Sequence, residues 1–247
     1  MKKACFGILI AALLVLFALT GTALAVEVIS SGTAGDCTWT HYSDNSLVFS
    51  GTGCVYSNNP LLGMMYWNNA DVRDEIEKII FEEGITALQS IYEGSQSLSE
   101  RMDYPSVSFS NMINLKEIVF PSTLKTISRS YIFSGCTALE SVTLPKDVSV
   151  VSDNAFSGCS NLQMINLPTN WTNQSRGLFE GCTSLKSVTI QGSDMTYDMF
   201  EGCTSLETVV VKPGVTTVTG FNGCSALKSI TLPEGVMVIS GVQGCTS

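Results

Sequence analysis

Six cysteines of this chain stand in one repeating column. Cys136, Cys159, Cys182, Cys203, Cys224 and Cys245 each follow a glycine, five of them inside a Phe-x-Gly-Cys stretch such as FSGCTALESVTLP from Phe133 or FEGCTSLKSVTIQ from Phe179. Thiols at fixed spacing can ligate zinc, exchange electrons or simply pack. A structural zinc site needs four ligands converging on a tetrahedron, usually supplied as close pairs. Cysteines one repeat apart form a line instead, and no Cys-x-x-Cys pair occurs. Rungs about 4.8 Å apart lie within disulfide reach, yet thiols in one phase beside inward Phe and Leu point the same way. The column therefore reads as reduced core packing, because an unreactive Cys behaves as a small hydrophobe. Cys37 and Cys54 are different. They flank TWTHYSDNSLVFSG, a hairpin pattern with its turn at Asp44-Asn45. A bridge there would contribute roughly 3 kcal/mol through loop entropy. The alternative is two independent thiols, and the spacing leaves both open.

Other reactive groups are sparse. His41 is the only histidine, and no nucleophile motif surrounds it, which leaves no Ser-His-Asp or Cys-His site. It reads as a solvated strand residue. Glu82-Glu83 and the group Asp71, Asp74 and Glu75 are the dense carboxylates. They fit a strand-end turn and a short solvated helix better than a glycosidase pair. No phosphate loop, EF-hand or dinucleotide motif is present. The expectation is a protein without catalytic residues, metal or cofactor, hence not an enzyme.

The elements that would position anything must follow a leader. MKKACFGILIAALLVLFALTGTALA has a charged start, an apolar run and Ala23-Leu24-Ala25, the pattern of a secretory signal peptide cut after Ala25. Losing Lys2 and Lys3 leaves 11 basic against 22 acidic residues, a net charge of −11. Nucleic acid would need a basic face, and anionic lipid is disfavoured for the same reason. No further apolar run is long enough to span a membrane. The expected location is secreted or cell surface.

Counting from each Phe, Gly falls at +2, Cys at +3, Leu at +6, Val or Ile at +9, an apolar residue at +11 and often Pro at +12. The steps from Phe133 are 23, 23, 21 and 21 residues. Periods in this range mark leucine-rich solenoids. Alternation at +9 and +11 predicts a short strand with one inward face, ended by Pro, which cannot donate to a continuing ladder. Phe, Cys and Leu at 0, +3 and +6 have helix or turn spacing. Apolar residues recur at +15 and +18, as in Val148 and Val151 or Val215 and Val218, and Ile76, Ile79, Phe81, Ile85 and Leu88 keep the same phase earlier. A degenerate unit from Phe109 has Met112 in the cysteine place. Length varies in the loop before Phe, so the strand is expected to hold register. One unit cannot offset its own ordering entropy; only stacking does.

These residues resemble the BspA-like leucine-rich repeat proteins, exported or surface proteins of gut and oral bacteria that are also expanded in some parasitic protists. The likeness covers the front of the chain too, where TAGDCTWTHYSDNSLVFSGTGCVY and YWNNADVRDEIEKIIFEEGIT are similar to the segment preceding the repeats in bacterial members. It implies a β-rich solenoid with short helical turns, a right-handed β/α-type superhelix with a small N-terminal β-hairpin cap. The expected division is 1–25 signal peptide, 26–70 cap and 71–247 repeats. Val242 opens a last unit that stops at Ser247, one residue before its expected Leu, so further repeats or a cap are expected to follow.

On this reading the +8 and +10 strand residues face outward: Glu117 and Val119, then Ser141, Thr143, Met164, Asn166, Ser187, Thr189, Thr208, Val210, Ser229 and Thr231. They make a neutral, hydroxyl-rich candidate interaction face. Trp171 and Tyr197 sit in irregular units and are the aromatic anchors by residue type. The resemblance implies adhesion, with a host or microbial surface protein or glycan as partner. The rival reading is a targeting arm of a larger exported enzyme whose catalytic domain lies outside this chain. A purely structural surface-layer component is the third.

Overall fold

The computed structural model describes residues 25–56, 66–89, 107–168, 175–192 and 197–245. Residues 1–24, Trp171 and the last two residues lie outside them. Three antiparallel strands open the chain: β1 (Val28–Ala34), β2 (Cys37–Tyr42) and β3 (Ser46–Gly51). The β2–β3 turn holds Asn45 at φ 62°, a left-handed conformation that Asn tolerates well. β4 (Gly53–Val55) and a four-residue helix α1 (Ala70–Arg73) follow.

From there the chain repeats two strand columns. The first contains β5 (Lys78–Phe81), β7 (Glu117–Val119), β9 (Ser141–Thr143), β11 (Met164–Asn166), β12 (Ser187–Ile190), β13 (Thr208–Val211) and β15 (Ser229–Thr231). The second contains β6 (Ile85–Leu88), β8 (Thr126–Ile127), β10 (Val150–Val151), β14 (Thr217–Val218) and β16 (Val238–Ile239). All pairings within these columns are parallel. The cap is fused to the stack, since β3 pairs in parallel with β5 and β4 with β6.

A third column is the Phe-x-Gly-Cys arc. The helical turns expected there are hydrogen-bonded turns; among the described residues from Phe109 on no helix forms. The reason is the glycine at +2. From Gly135 to Gly244 it stands at φ 69–79°, outside right-handed helix space and costly for residues with a Cβ. Asn111 takes this place in the degenerate unit at φ 57°. The arcs are stitched by backbone bonds of 2.7–3.0 Å from each Phe N–H to the residue before the next Phe, from Phe109–Ile132 to Phe221–Gly241.

The interior is one apolar core from Ala34 to Leu227. Phe109, Phe133, Phe156, Phe179, Phe200 and Phe221 stack nearly parallel at centroid spacings of 5.3–5.7 Å. Trp67 is the foot of that column: its ring stacks on Phe109 at 5.5 Å and its Nε1–H donates to the Ser108 carbonyl. Trp39 and Phe49 meet it edge-on. The apolar side chains of the last described rung, Leu232, Met237, Val238, Ile239 and Val242, are exposed.

The expected register holds wherever strands of the first column pair within the regular repeats, +8 residue against +8 residue, but the column is not continuous. The arc ladder and ring stack run without interruption, while the first strand column divides. β1-β2-β3-β5-β7 form one sheet, β9-β11 a second and β12-β13-β15 a third. Within the regular repeats the division follows unit length. The unit from Phe109 has 24 residues, those from Phe133 and Phe156 have 23, and those from Phe179 and Phe200 have 21. In this first column strands of equal-length units pair and unequal neighbours do not, whereas in the second column β8 and β10 pair although their units differ by one residue.

Candidate interaction face

The outward strand residues are set by the pleat. Val142, Val188 and Val209 are buried, so their neighbours at +8 and +10 turn to solvent. Glu117, Val119, Ser141, Thr143, Met164, Asn166, Ser187, Thr189, Ser229 and Thr231 are exposed, with Thr208 and Val210 half-buried. Register aligns them across rungs: Ser141 with Met164, Ser187 with Thr208 and Ser229, and Thr189 with Val210 and Thr231. Glu117 is neutralised by Lys78 at 2.8 Å. From β9 to β15 the outward residues are uncharged.

Where β11 and β12 fail to pair, a cleft of about 340 Å³ opens. Gln163, Met164, Asn166, Ser187, Thr189 and Gln191 line it. The Gln191 amide donates to the Leu167 carbonyl across the gap at 2.8 Å.

Tyr197 belongs to a different column. It precedes the Phe200 arc, is 37% exposed, and lies under Arg176, whose Cζ is 4.8 Å from the ring centroid. It therefore does not join the strand face. Its proposed companion Trp171 lies outside the described residues.

The cysteine column is inert for a specific reason. Each Sγ–H donates to the carbonyl of the Phe one unit earlier, at 3.2–3.4 Å from Cys136–Phe109 to Cys245–Phe221. From Phe156 onward the same carbonyl also accepts the N–H of the Cys in its own unit. Burial pushes the thiols of Cys159, Cys203 and Cys224 up to about 12, far from the range of reactive thiolates. Met112 fills the first place of the column, where no Phe arc precedes it. The Cys37 thiol is pushed up to about 11 by burial, then by Asp36 and Cys54.

His41 is not a solvated strand residue. It is fully buried, its Nδ1 lies 3.2 Å from the Tyr66 hydroxyl, and its buried Nε2 has no partner among the described residues. The reason is the pleat: His41 shares one face of β2 with buried Cys37 and Trp39, and on that face Trp39 and Tyr66 stack beside the imidazole at 4.8 Å from each other. Burial lowers the His41 pKa, opposed by Glu75 and Asp44. Of the other candidate acids, Glu83 accepts from the Ser122 N–H and hydroxyl at 2.8 and 3.0 Å, which lowers its pKa, while Asp71, Asp74, Glu75 and Glu82 are exposed. Among the described residues no group of His, Cys, Asp and Glu could hold a metal, and no helix is long and apolar enough to cross a membrane.

Parallel rungs, each with one inward Leu and one inward ring, define a leucine-rich repeat protein. A model of the BspA type leucine rich repeat region matches in six copies, over residues 103–220 and 196–242. The chain belongs to that family. No curated protein matches it. Among solved structures it is similar to a leucine-rich repeat protein of T. pallidum, at 17% identity and a TM-score of 0.51, covering 79% of this chain and 90% of that one. It also resembles a leucine-rich repeat protein from Eubacterium ventriosum, at 15% identity, a TM-score of 0.45 and coverage of 88% and 96%. A leucine rich cell surface protein from Faecalibacterium prausnitzii matches at 15% identity and a TM-score of 0.38, covering 82% and 94%.

Proposed function

We propose that the chain is an exported, non-enzymatic repeat protein whose strand face serves adhesion, binding a protein or glycan at a bacterial or host surface. In this reading residues 1–25 direct export, 26–70 cap the stack and 71–247 form a right-handed solenoid. One observation carries it: an uncharged, hydroxyl-rich face kept in register across β12, β13 and β15, while His41 and the column thiols from Cys136 to Cys224 are buried. A surface that meets varied partners through hydroxyls and small apolar groups needs no embedded charge, whereas catalysis needs a titratable group near its substrate.

The test is binding of the purified protein to arrayed host proteins and surface glycans. Thr208→Arg puts a long cation in the centre of the face without touching the core. Binding that the substitution abolishes, with the melting temperature unchanged, is the expected outcome. Ligands that ignore every strand-face substitution would place recognition elsewhere. Hydrolysis of a bound glycan would favour the enzyme-arm reading.

A further inference from the structure

The geometry points to the β11–β12 split as a saccharide site, taking a short segment of a neutral polysaccharide or uncharged glycan. This deepens the proposed adhesion reading and rests on it.

The split is a place of unmade hydrogen bonds. The carbonyls of Lys186 and Ile190 receive bonds from the β13 rung. By strand alternation the backbone groups of Ser187 and Thr189 point the other way, toward β11. Among the described residues no strand pairing meets them there. In a continuous sheet these groups would be used up. Here they open into the cleft of about 340 Å³, beside the side-chain amides of Gln163, Asn166 and Gln191 and the hydroxyls of Ser187 and Thr189. The site thus offers donors and acceptors in mixed order, over an apolar floor from half-buried Ile165 and buried Val188, with Met164 65% exposed at its lip.

That combination selects among ligands by elimination and by fit. None of the lining residues is charged. A phosphate, sulfate or uronate would find no cation, and a divalent metal no carboxylate. Strand addition by a peptide would need β11 and β12 to stand about 9.6 Å apart, twice the strand spacing; some of their Cα atoms approach within 8 Å. A sugar ring needs neither charge nor a vacant strand position. Its hydroxyls both donate and accept, matching amides and free peptide groups, and its C–H face can lie on Met164. The volume lies at the small end of ligand pockets, roughly 300–1,000 Å³, which suits one or two sugar units of a longer chain.

The experiment titrates the purified protein with maltohexaose, cellohexaose, mannohexaose, xylohexaose and N-acetylchitohexaose, read by calorimetry and by ligand-observed NMR. Heparin and polygalacturonate form the charged arm. At least one neutral hexaose should saturate the protein below about 1 mM. Asn166→Ala and Thr189→Val should each weaken it by about tenfold or more, while Ser229→Ala, on the same face beyond the cleft, should leave it unchanged. Circular dichroism melts check that the variants fold. Binding only in the charged arm, no saturation by any neutral hexaose, or affinity indifferent to Asn166 and Thr189 would overturn the site. A protein ligand blocked by Thr208→Arg yet unaffected by Asn166→Ala would overturn the saccharide site and leave the adhesion reading standing. Absence of any ligand sensitive to strand-face substitution would remove both.

Discussion

A thiol in every repeat is not there as a small hydrophobe alone. From Phe156 onward the Phe carbonyl at the start of the arc has two lone pairs, and the turn uses one; the Sγ–H of the next unit supplies the second bond. Buried acceptors left unpaired are costly, which explains why Cys rather than Ala or Val fills the column. Two consequences can be measured. In the native protein Cys136, Cys159, Cys182, Cys203 and Cys224 should resist iodoacetamide and react fully after denaturation. Because their folded pKa values are raised above the usual 9.0, the folded state binds protons more tightly. Their contribution to stability is complete below pH 9.0 and is lost as pH rises through the folded values, about 12 for Cys203. Thermal melts should therefore fall steeply on the alkaline side, and Cys203→Ser, whose hydroxyl does not ionise there, should lessen the fall. An alkaline limb unchanged by that substitution would count against the assignment. His41 gives the opposite limb. Its folded pKa is lowered from 6.5, so stability is complete above pH 6.5 and is lost as pH falls from there toward the folded value. No other histidine exists, so a decline that begins above the carboxylate range belongs to His41. It should vanish in His41→Phe; a flat profile in the parent protein would refute the sign.

At the scale of the element, the strand phase was legible because its period is two and its inward positions are Val or Ile in unit after unit. Leu185 is fully buried while Thr189 is exposed. Leu185→Ala should cost about 2–5 kcal/mol by leaving a cavity, and Thr189→Ala about 0.5 kcal/mol or less. Chemical denaturation of both variants checks this, and equal midpoints would mean that the face is reversed. The arcs were only half legible. Spacing of 0, +3 and +6 fits helix and turn alike, and the left-handed glycine at +2 decides for the turn. The cap was read least well. β1, VISSGTA, lacks a clean alternation of apolar and polar residues, and its burial pattern is mostly exposed or half-exposed. Trp67, likewise, has no repeat partner in sequence, and only the stack of rings beneath Phe109 gives it a role. The candidate face was visible as a set of positions, whereas its division into panels was not, because pairing depends on the relation between neighbouring units.

For the whole molecule, that relation is governed by a difference of one or two residues. A long insertion can loop out and leave both its ends in place at little entropic cost; β5 and β7 pair although the chain between them runs from Phe81 to Glu117. A two-residue difference is too short to loop out. It must be absorbed by the rung, and the rung has one side that cannot yield: the arc, where Phe rings stack, glycines abut at 3.6–3.9 Å from Cβ positions, and each Cys bonds the preceding unit. Strand pairing is the softer side, since a short β segment of three or four residues holds few ladder bonds. The mismatch is accordingly expressed as a split in the sheet. If this account is right, the split is movable. Deleting Asn173 and Gln174 shortens the unit from Phe156 from 23 to 21 residues, matching the units from Phe179 and Phe200. β11 should then pair with β12, and the break should shift one rung, to between β9 and β11. Amide exchange reads this directly. The N–H groups of Ser187 and Thr189, unprotected in the parent protein, should become protected, and the bonds that β11 makes to Glu140 and Leu144 should become labile. Saccharide affinity at the original cleft should disappear in the same variant while the ring stack and the thiol protection persist. Retention of the split between β11 and β12 in the shortened protein would show that unit length does not set the panels.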